Sequence, residues 1–343
     1  MSFRGWLTII TFVLLAVVVV FAWPELVQAW QLLARVNLWI LSLLIPVQLF
    51  SYYAIGGLIF SYLRAKGNVE SMSRWYVARL SLELNFVNHI LPSGGAAGFS
   101  YLGWILHRYG VSAGRSTMSQ IVRFVLIFAS FVLLLVIAVA MLILDNNINR
   151  VVILLSSGLA LVSILGTVFF IYLLASKPRL DRVAGWLTRI TNRLVKKVTR
   201  GRKANVLKRD LLKDFFNDLH LDYVAIRRDK RILIRPFIWS ILATLADVAL
   251  LYIAFLALGY HVNPASLLIA FGLSSIGSVF TVTPGGAGVY EAIMIAFLAT
   301  SGVPPDVAIA GTLLARVVLV LGTILFGYVF YQMTLVKYGK RPA

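Results

Sequence analysis

Apolar residues in this chain come in long blocks, with nothing of the ten-residue alternation that marks a membrane β-barrel. Blocks at about 6–23, 38–63, 117–144, 151–175, 237–258 and 308–331 reach or exceed the roughly 18 to 20 residues with which a helix crosses a bilayer. The pattern predicts an all-α integral membrane protein with about six full spans. The first block follows Arg4 and has the length of a signal sequence as well as of a span. Trp23-Pro24-Glu25 stands where a small-residue cleavage site would be, so the block is expected to be a retained span with its N-terminus inside.

Two further apolar segments are interrupted. The first, 75–106, carries Glu83, Asn85, Asn88 and His89 and is broken by Leu91-Pro92-Ser93-Gly94-Gly95-Ala96-Ala97-Gly98. The second, 266–300, is broken by Thr283-Pro284-Gly285-Gly286-Ala287-Gly288. Proline removes a backbone donor and glycine tolerates turns, so each segment reads as two half-helices around an unwound tip, a re-entrant hairpin. The plainer reading is a kinked full-length helix whose freed backbone groups are satisfied by neighbours. Two matched copies favour the hairpin, because non-helical backbone at membrane depth must line a cavity or be buried in protein. Amides near Gly94-Gly95 and Gly285-Gly286, each at the start of a half-helix, could receive an anion.

Composition agrees with the pattern: 343 residues are 60% apolar and 13% charged, with a mean hydropathy of +0.89, far from soluble domains. Zero cysteines exclude disulfides, thiolate metal sites and cysteine nucleophiles, and four scattered histidines leave little for a zinc site. No metal or cofactor is expected. The net charge of +19 matters by position: 18 of the 32 Lys+Arg lie between Lys177 and Arg235, a segment that separates two very apolar halves. Positive charge flanking spans marks the cytoplasmic side, which puts this loop inside. Short loops then place both termini inside, with 28 basic residues facing the cytoplasm, Arg35 and Arg150 outside, and Arg123 and Arg316 within spans. The expected divisions are an N-terminal span (1–36), a first repeat (37–175) with an extra span at 151–175, a basic cytoplasmic loop (176–235) and a second repeat (236–343).

Those repeats follow from aligning the tips. Each half has a span, a Pro-Gly-Gly hairpin and a span with one arginine; Pro92 precedes Arg123 by 31 residues and Pro284 precedes Arg316 by 32. The charge count puts the ends of one hairpin inside and those of the other outside, so the repeats are inverted. Inverted repeats with broken helices near the midplane are a transporter architecture.

Leu91 to Gly98, Thr283 to Glu291 and the arginine after each hairpin resemble the lysylphosphatidylglycerol synthase transmembrane region, the flippase-like or UPF0104 family, over nearly the whole chain. The resemblance implies a module that moves aminoacylated phosphatidylglycerol or polyprenyl-phosphate-linked sugars between leaflets. The bifunctional synthases continue into a soluble aminoacyl-transfer domain, whereas this sequence stops at Ala343. Lipid lysylation by this polypeptide is therefore not expected, and it is read as a non-enzyme.

Charges inside a membrane cost a few kcal/mol each, so each needs a partner or a task. Five qualify: Glu83, Arg123, Asp247, Glu291 and Arg316. For the arginines, one reading is a guanidinium fork that holds a lipid phosphate. The other is structural pairing, Arg316 with Glu291 or Asp247 and Arg123 with Glu83. Glu83, Asn85, Asn88 and His89 form either a binding wall near the first tip or a polar face packed on a neighbour. Glu291 has no carboxylate counterpart at Phe99-Ser100-Tyr101, and could pair with Arg316, meet a cationic head group or carry a proton.

In the basic loop, Leu180, Val183, Leu187, Ile190 and Leu194 recur at helical spacing among Arg and Lys. They predict an amphipathic helix lying on anionic head groups; a solvated loop that only sets topology is the alternative. No nucleic-acid motif accompanies the charge, and the chain holds no Walker sequence, G-x-S-x-G or H-E-x-x-H. The expected partners are membrane lipids, and self-association into a homo-oligomer is compatible with the pattern. The leading function is a lipid flippase of the inner or plasma membrane for an anionic or phosphate-linked lipid. The alternatives are a secondary transporter of a small organic anion and a membrane enzyme acting on lipid head groups through Glu83, His89 or Glu291.

Overall fold

A computed structural model describes residues 36–90, 96–144, 150–198, 209–279, 283 and 286–338. The span expected at 6–23 lies outside these residues, as do Pro92, Gly94, Gly95, Pro284 and Gly285. All described secondary structure is helical, as it must be where no water can satisfy backbone groups.

A single turn, α1 (Leu38–Ser42), leads into α2 (Leu44–Ala65). The first interrupted segment forms α3 (Arg74–Ile90) and α4 (Ala96–His107), followed by α5 (Ala113–Leu144) and α6 (Arg150–Leu174). The basic segment forms α7 (Lys177–Val198), α8 (Arg209–Arg228) and a 3-10 turn (Lys230–Leu233). The remainder is α9 (Ile234–Ala257), α10 (Pro264–Val279), α11 (Val289–Thr300) and α12 (Pro305–Tyr338). Five stretches are long and apolar enough to span a membrane: 38–65, 113–144, 150–174, 230–257 and 305–337. These are the five described blocks of the sequence, with α5 starting four residues earlier than expected. The hairpin arms have 17, 12, 16 and 12 residues. At 1.5 Å per residue none reaches the roughly 30 Å of a hydrocarbon core.

The two halves pack reciprocally. Helices α2 and α9 form the most extensive pairing, α3 lies on α12, and α10 lies on α5, so the first arm of each hairpin rests on the arginine-bearing span of the other half. Glycine makes both contacts close. A Cβ on Gly327 of α12 would overlap Phe86 of α3, and one on Gly272 of α10 would overlap Phe131 of α5. Small residues serve membrane bundles this way because lipid offers no hydrophobic drive between helices.

The apolar core is divided. One cluster takes Leu58 and Leu63 of α2, Leu80, Leu84 and Ile90 of α3, Leu126 of α5 and Tyr331 of α12. A second takes Phe131 of α5, Phe255 of α9, Leu268 of α10 and Ala315 of α12, and a small third takes Val36, Ala257 and Leu314. Between the first two, α2, α5, α9 and α12 carry a layer of polar groups: Gln48, Ser51, Ser130, Thr244, Asp247 and Arg316. This layer is where a site can form.

The basic segment is docked rather than loose. The predicted apolar stripe of α7 is real, but Leu180 and Ala184 are fully buried and Val183 and Leu187 partly so, packed with Phe216 and Leu219 of α8 against the first core cluster. At these positions the protein itself covers part of the face that the sequence assigned to the membrane surface. Asp222 of α8 meets Lys66 (3.5 Å) and Arg115 (3.4 Å), and Ser112 Oγ donates to Asp218 (2.8 Å).

Candidate functional site

A cavity of about 260 Å³ opens in the polar layer, lined by residues of α2, α3, α9, α10, α11 and α12. Both hairpins therefore reach it. Its charged members are Arg316 and Asp247, with His89, Gln48, Asn85, Tyr290 and serines 51, 275 and 278 around them.

Helix α2 presents its polar residues with a spacing of three and four, which puts Gln48, Ser51 and Tyr52 on one face. Gln48 Nε2 donates to Tyr52 Oη and to the Leu319 carbonyl, both at 2.7 Å, and Tyr52 Oη also bonds Thr323 Oγ1. Gly322 permits this approach, since a Cβ there would overlap Gln48. Ser51 Oγ donates to Asp247 Oδ1 at 2.6 Å, so the intramembrane carboxylate of α9 is steadied by a hydroxyl on its neighbour. On α3, His89 Nδ1 lies 2.9 Å from the Asn85 carbonyl. A carbonyl only accepts, so in the neutral ring Nδ1 carries the proton and Nε2 is an acceptor.

Arg316 is held from the second hairpin. Its Nε lies 2.8 Å from Glu291 Oε1, and its guanidinium sits 5.1 Å from the centre of the Tyr290 ring. The ion contact is close without being an aligned hydrogen bond, as Oε1 accepts none. Glu291 Oε2 accepts from Gly288 N at 2.6 Å, at the start of α11. A carboxylate here satisfies an orphan amide and complements the helix dipole. The turn that allows it runs through Gly286 (φ 74°) and Gly288 (φ 88°), where a side chain would be strained.

The other predicted residues have different surroundings. Glu83 is fully buried and accepts from Arg79 Nε (2.8 Å), Thr334 Oγ1 (2.8 Å) and Tyr101 Oη, and Arg79 also donates to the Phe330 carbonyl (3.2 Å). The expected pairing of Glu83 with Arg123 is thus corrected. Arg79 lies one helical turn away on the same helix and reaches the carboxylate first. The group ties α3, α4 and α12 together and does not line the cavity. Asn88 Oδ1 accepts from Gly98 N (3.1 Å) across the first break, a closing contact rather than a wall of the cavity. Asp247 likewise bonds Ser51 instead of Arg316. Arg123 stands apart: its Nε is buried without a hydrogen-bond partner and its guanidinium lies 4.8 Å from the Phe124 ring centre. Among the described residues no carboxylate is within ion-pair distance of it.

Gln48, Ser51, Ser275, Ser278 and Tyr290 are cavity residues that the sequence reading passed over. The signal was present for four of them: a glutamine and serines at spacing three inside otherwise apolar helices place polar atoms on one intramembrane face.

Residues 7–327 match the family model described as lysylphosphatidylglycerol synthase TM region. A UPF0104 membrane protein of Methanothermobacter thermautotrophicus is 24% identical over 236 residues, 68% of this chain and 67% of the relative. A second from the same organism is 24% identical over 264 residues, 75% of this chain and 72% of the relative. A UPF0104 membrane protein of Methanocaldococcus jannaschii is 24% identical over 245 residues, 71% and 70%. No solved structure matches the chain.

Proposed function

The chain belongs to the family of the lysylphosphatidylglycerol synthase transmembrane region, and from that membership we propose that it translocates a phosphate-bearing lipid between leaflets, making and breaking no covalent bond. The cargo class covers phospholipids, aminoacyl-phosphatidylglycerol and polyprenyl-phosphate-type lipids. The observation that carries the reading is Arg316, lining a polar cavity that both hairpins reach. At about 260 Å³ the cavity is smaller than the roughly 300–1,000 Å³ of pockets that enclose drug-sized ligands. It suits a head group whose chains stay in the bilayer.

Arg316 would exchange the Glu291 carboxylate for a lipid phosphate. Both anions suit the guanidinium fork, so the buried cation stays compensated throughout, which avoids the several kcal/mol that a stranded charge costs. Asp247, steadied by Ser51, and the imidazole of His89 offer acceptors to cationic or hydroxylated parts of a head group. The reciprocal packing supports inverted repeats, in which the two hairpins enter from opposite faces and one half rocks against the other.

The test is reconstitution in liposomes with fluorescent phosphatidylglycerol and a fluorescent neutral diacylglycerol, following how much of each a membrane-impermeant quencher reaches. Faster exposure of the phosphate-bearing probe alone, lost in Arg316→Gln, is expected. Equal rates for both probes would remove the phosphate from the mechanism. Uptake of a small organic anion with no lipid movement would favour the solute-carrier reading, which the cavity volume also accommodates.

A further inference from the structure

A second site lies at the basic end of the bundle. A groove of about 630 Å³ is bordered by four arginines, Arg64 at the end of α2, Arg74 at the start of α3, Arg231 in the 3-10 turn and Arg235 at the start of α9. Among the described residues no aspartate or glutamate lines it, and it shares none with the central cavity. The α2–α3 connection and the 3-10 turn are fixed in place: Arg64 Nη2 donates to the Met72 carbonyl (2.6 Å), and Asp229 Oδ1 accepts from Arg231 N (3.0 Å). Both α3 and α9 begin here, so the positive ends of two helix dipoles add to the four guanidinium charges.

The other half of the groove is apolar. Tyr53 and Trp239 meet edge to face, with ring centres 5.4 Å apart, and Trp239 lies so close on Gly57 that a Cβ there would overlap its indole. Tyr53 precedes Arg64 by eleven residues on one helix, so the groove runs roughly 16 Å from its charged rim into the span. Trp239, about one helical turn beyond Arg235, stands near the boundary between head groups and acyl chains that tryptophan favours, and Tyr53 continues the apolar wall deeper into the span. A soluble anion would use only the rim, whereas a lipid would use the whole length.

We propose that this groove binds a lipid whose head group is a phosphate monoester or diphosphate, its phosphate among the four arginines and its chain along Tyr53 and Trp239. A phosphodiester with one negative charge would balance one of the four guanidinium charges, whereas a monoester or diphosphate with two or three would balance half of them or more. The site does not depend on the transport reading, because it would hold lipid whether or not the central cavity moves any.

Native mass spectrometry of the full chain in detergent tests the proposal, with phosphatidic acid as probe, phosphatidylglycerol for comparison and inorganic pyrophosphate as the soluble competitor. Wild type is expected to retain phosphatidic acid over phosphatidylglycerol. The triple variant Arg74→Gln/Arg231→Gln/Arg235→Gln should weaken phosphatidic acid binding at least about tenfold, given the worth of each basic residue near a lipid phosphate. These three side chains are exposed. Should the triple variant not fold, each single change is expected to weaken binding about threefold. Arg182→Gln/Arg189→Gln on α7, outside the groove, should change nothing. The idea is overturned if the groove variants bind as wild type does, if the α7 variant loses as much, or if millimolar pyrophosphate displaces the lipid and so marks a site for soluble phosphate.

Discussion

Arg316 and Arg123 hold matching places, 32 and 31 residues beyond their prolines, yet among the described residues only Arg316 has a counter-anion. Arg316 lies 2.8 Å from Glu291, which also caps the start of its hairpin's second arm. Arg123 rests over Phe124, which stacks on Phe99 at 5.8 Å, where the other hairpin has its carboxylate region. The first half does contain a buried carboxylate, but Glu83 is held by Arg79 within α3. The two halves therefore pack alike and differ in their chemistry. One half supplies an ion pair whose arginine lines the cavity, and the other a buried network around Glu83 with an arginine set against an aromatic ring.

Removing Arg316 tests the contrast most severely. Arg316→Ala strands Glu291 and should cost about 3–5 kcal/mol in a detergent melt, with loss of lipid exposure in liposomes. Glu291→Gln should also destabilise, and Glu291→Gln/Arg316→Gln should recover stability but not transport. Recovery of both in the double variant would reduce the pair to a structural one.

Glu83→Gln should cost about 2–3 kcal/mol by stranding Arg79, while the molecules that remain folded move lipid at the wild-type rate. A transport defect without a stability loss would show that the first half's carboxylate belongs to the cargo path after all. Gly327→Ala and Gly272→Ala probe what the halves share. Each should lower stability by about 1–3 kcal/mol, because each inserts a methyl group into the corresponding contact between an arm and a span. A large cost for one and none for the other would break the packing equivalence.

The smallest stability effect is expected at Arg123. With no carboxylate to strand, Arg123→Ala should cost about 1 kcal/mol, the worth of its ring contact. If this arginine also meets phosphate, transport should fall with the fold intact, and Arg123→Lys should restore part of it because charge returns without the planar fork. Full activity in a stable Arg123→Ala protein would leave Arg316 as the sole phosphate ligand of the pair.

The spans were legible because hydrophobic thickness imposes a length that composition records directly, and the breaks because proline and glycine punctuate backbone wherever they occur. Partners were harder. Arg79 reads as one more positive flank at a membrane boundary, and only its place one turn before Glu83 reveals the pair. Ser51 and Asp247 lie 196 residues apart, as Gln48 and the Leu319 carbonyl lie 271 apart. No local pattern encodes such contacts; they arise when α2 packs between α9 and α12. The apolar stripe of α7 was visible, but an amphipathic pattern says that a face will be covered without saying whether lipid or protein covers it.

Glu291 divides its two oxygens between the Gly288 amide and Arg316, and this division makes turn and arginine partners in one equilibrium. An anion that takes Arg316 leaves the carboxylate bound only to the turn, so occupancy changes the stability of that turn. By thermodynamic reciprocity, any tip conformation that draws Glu291 from the arginine strengthens anion binding by the same factor as the anion favours that conformation. The tip would then report cargo, and movement of the tip would tune affinity, through one shared carboxylate.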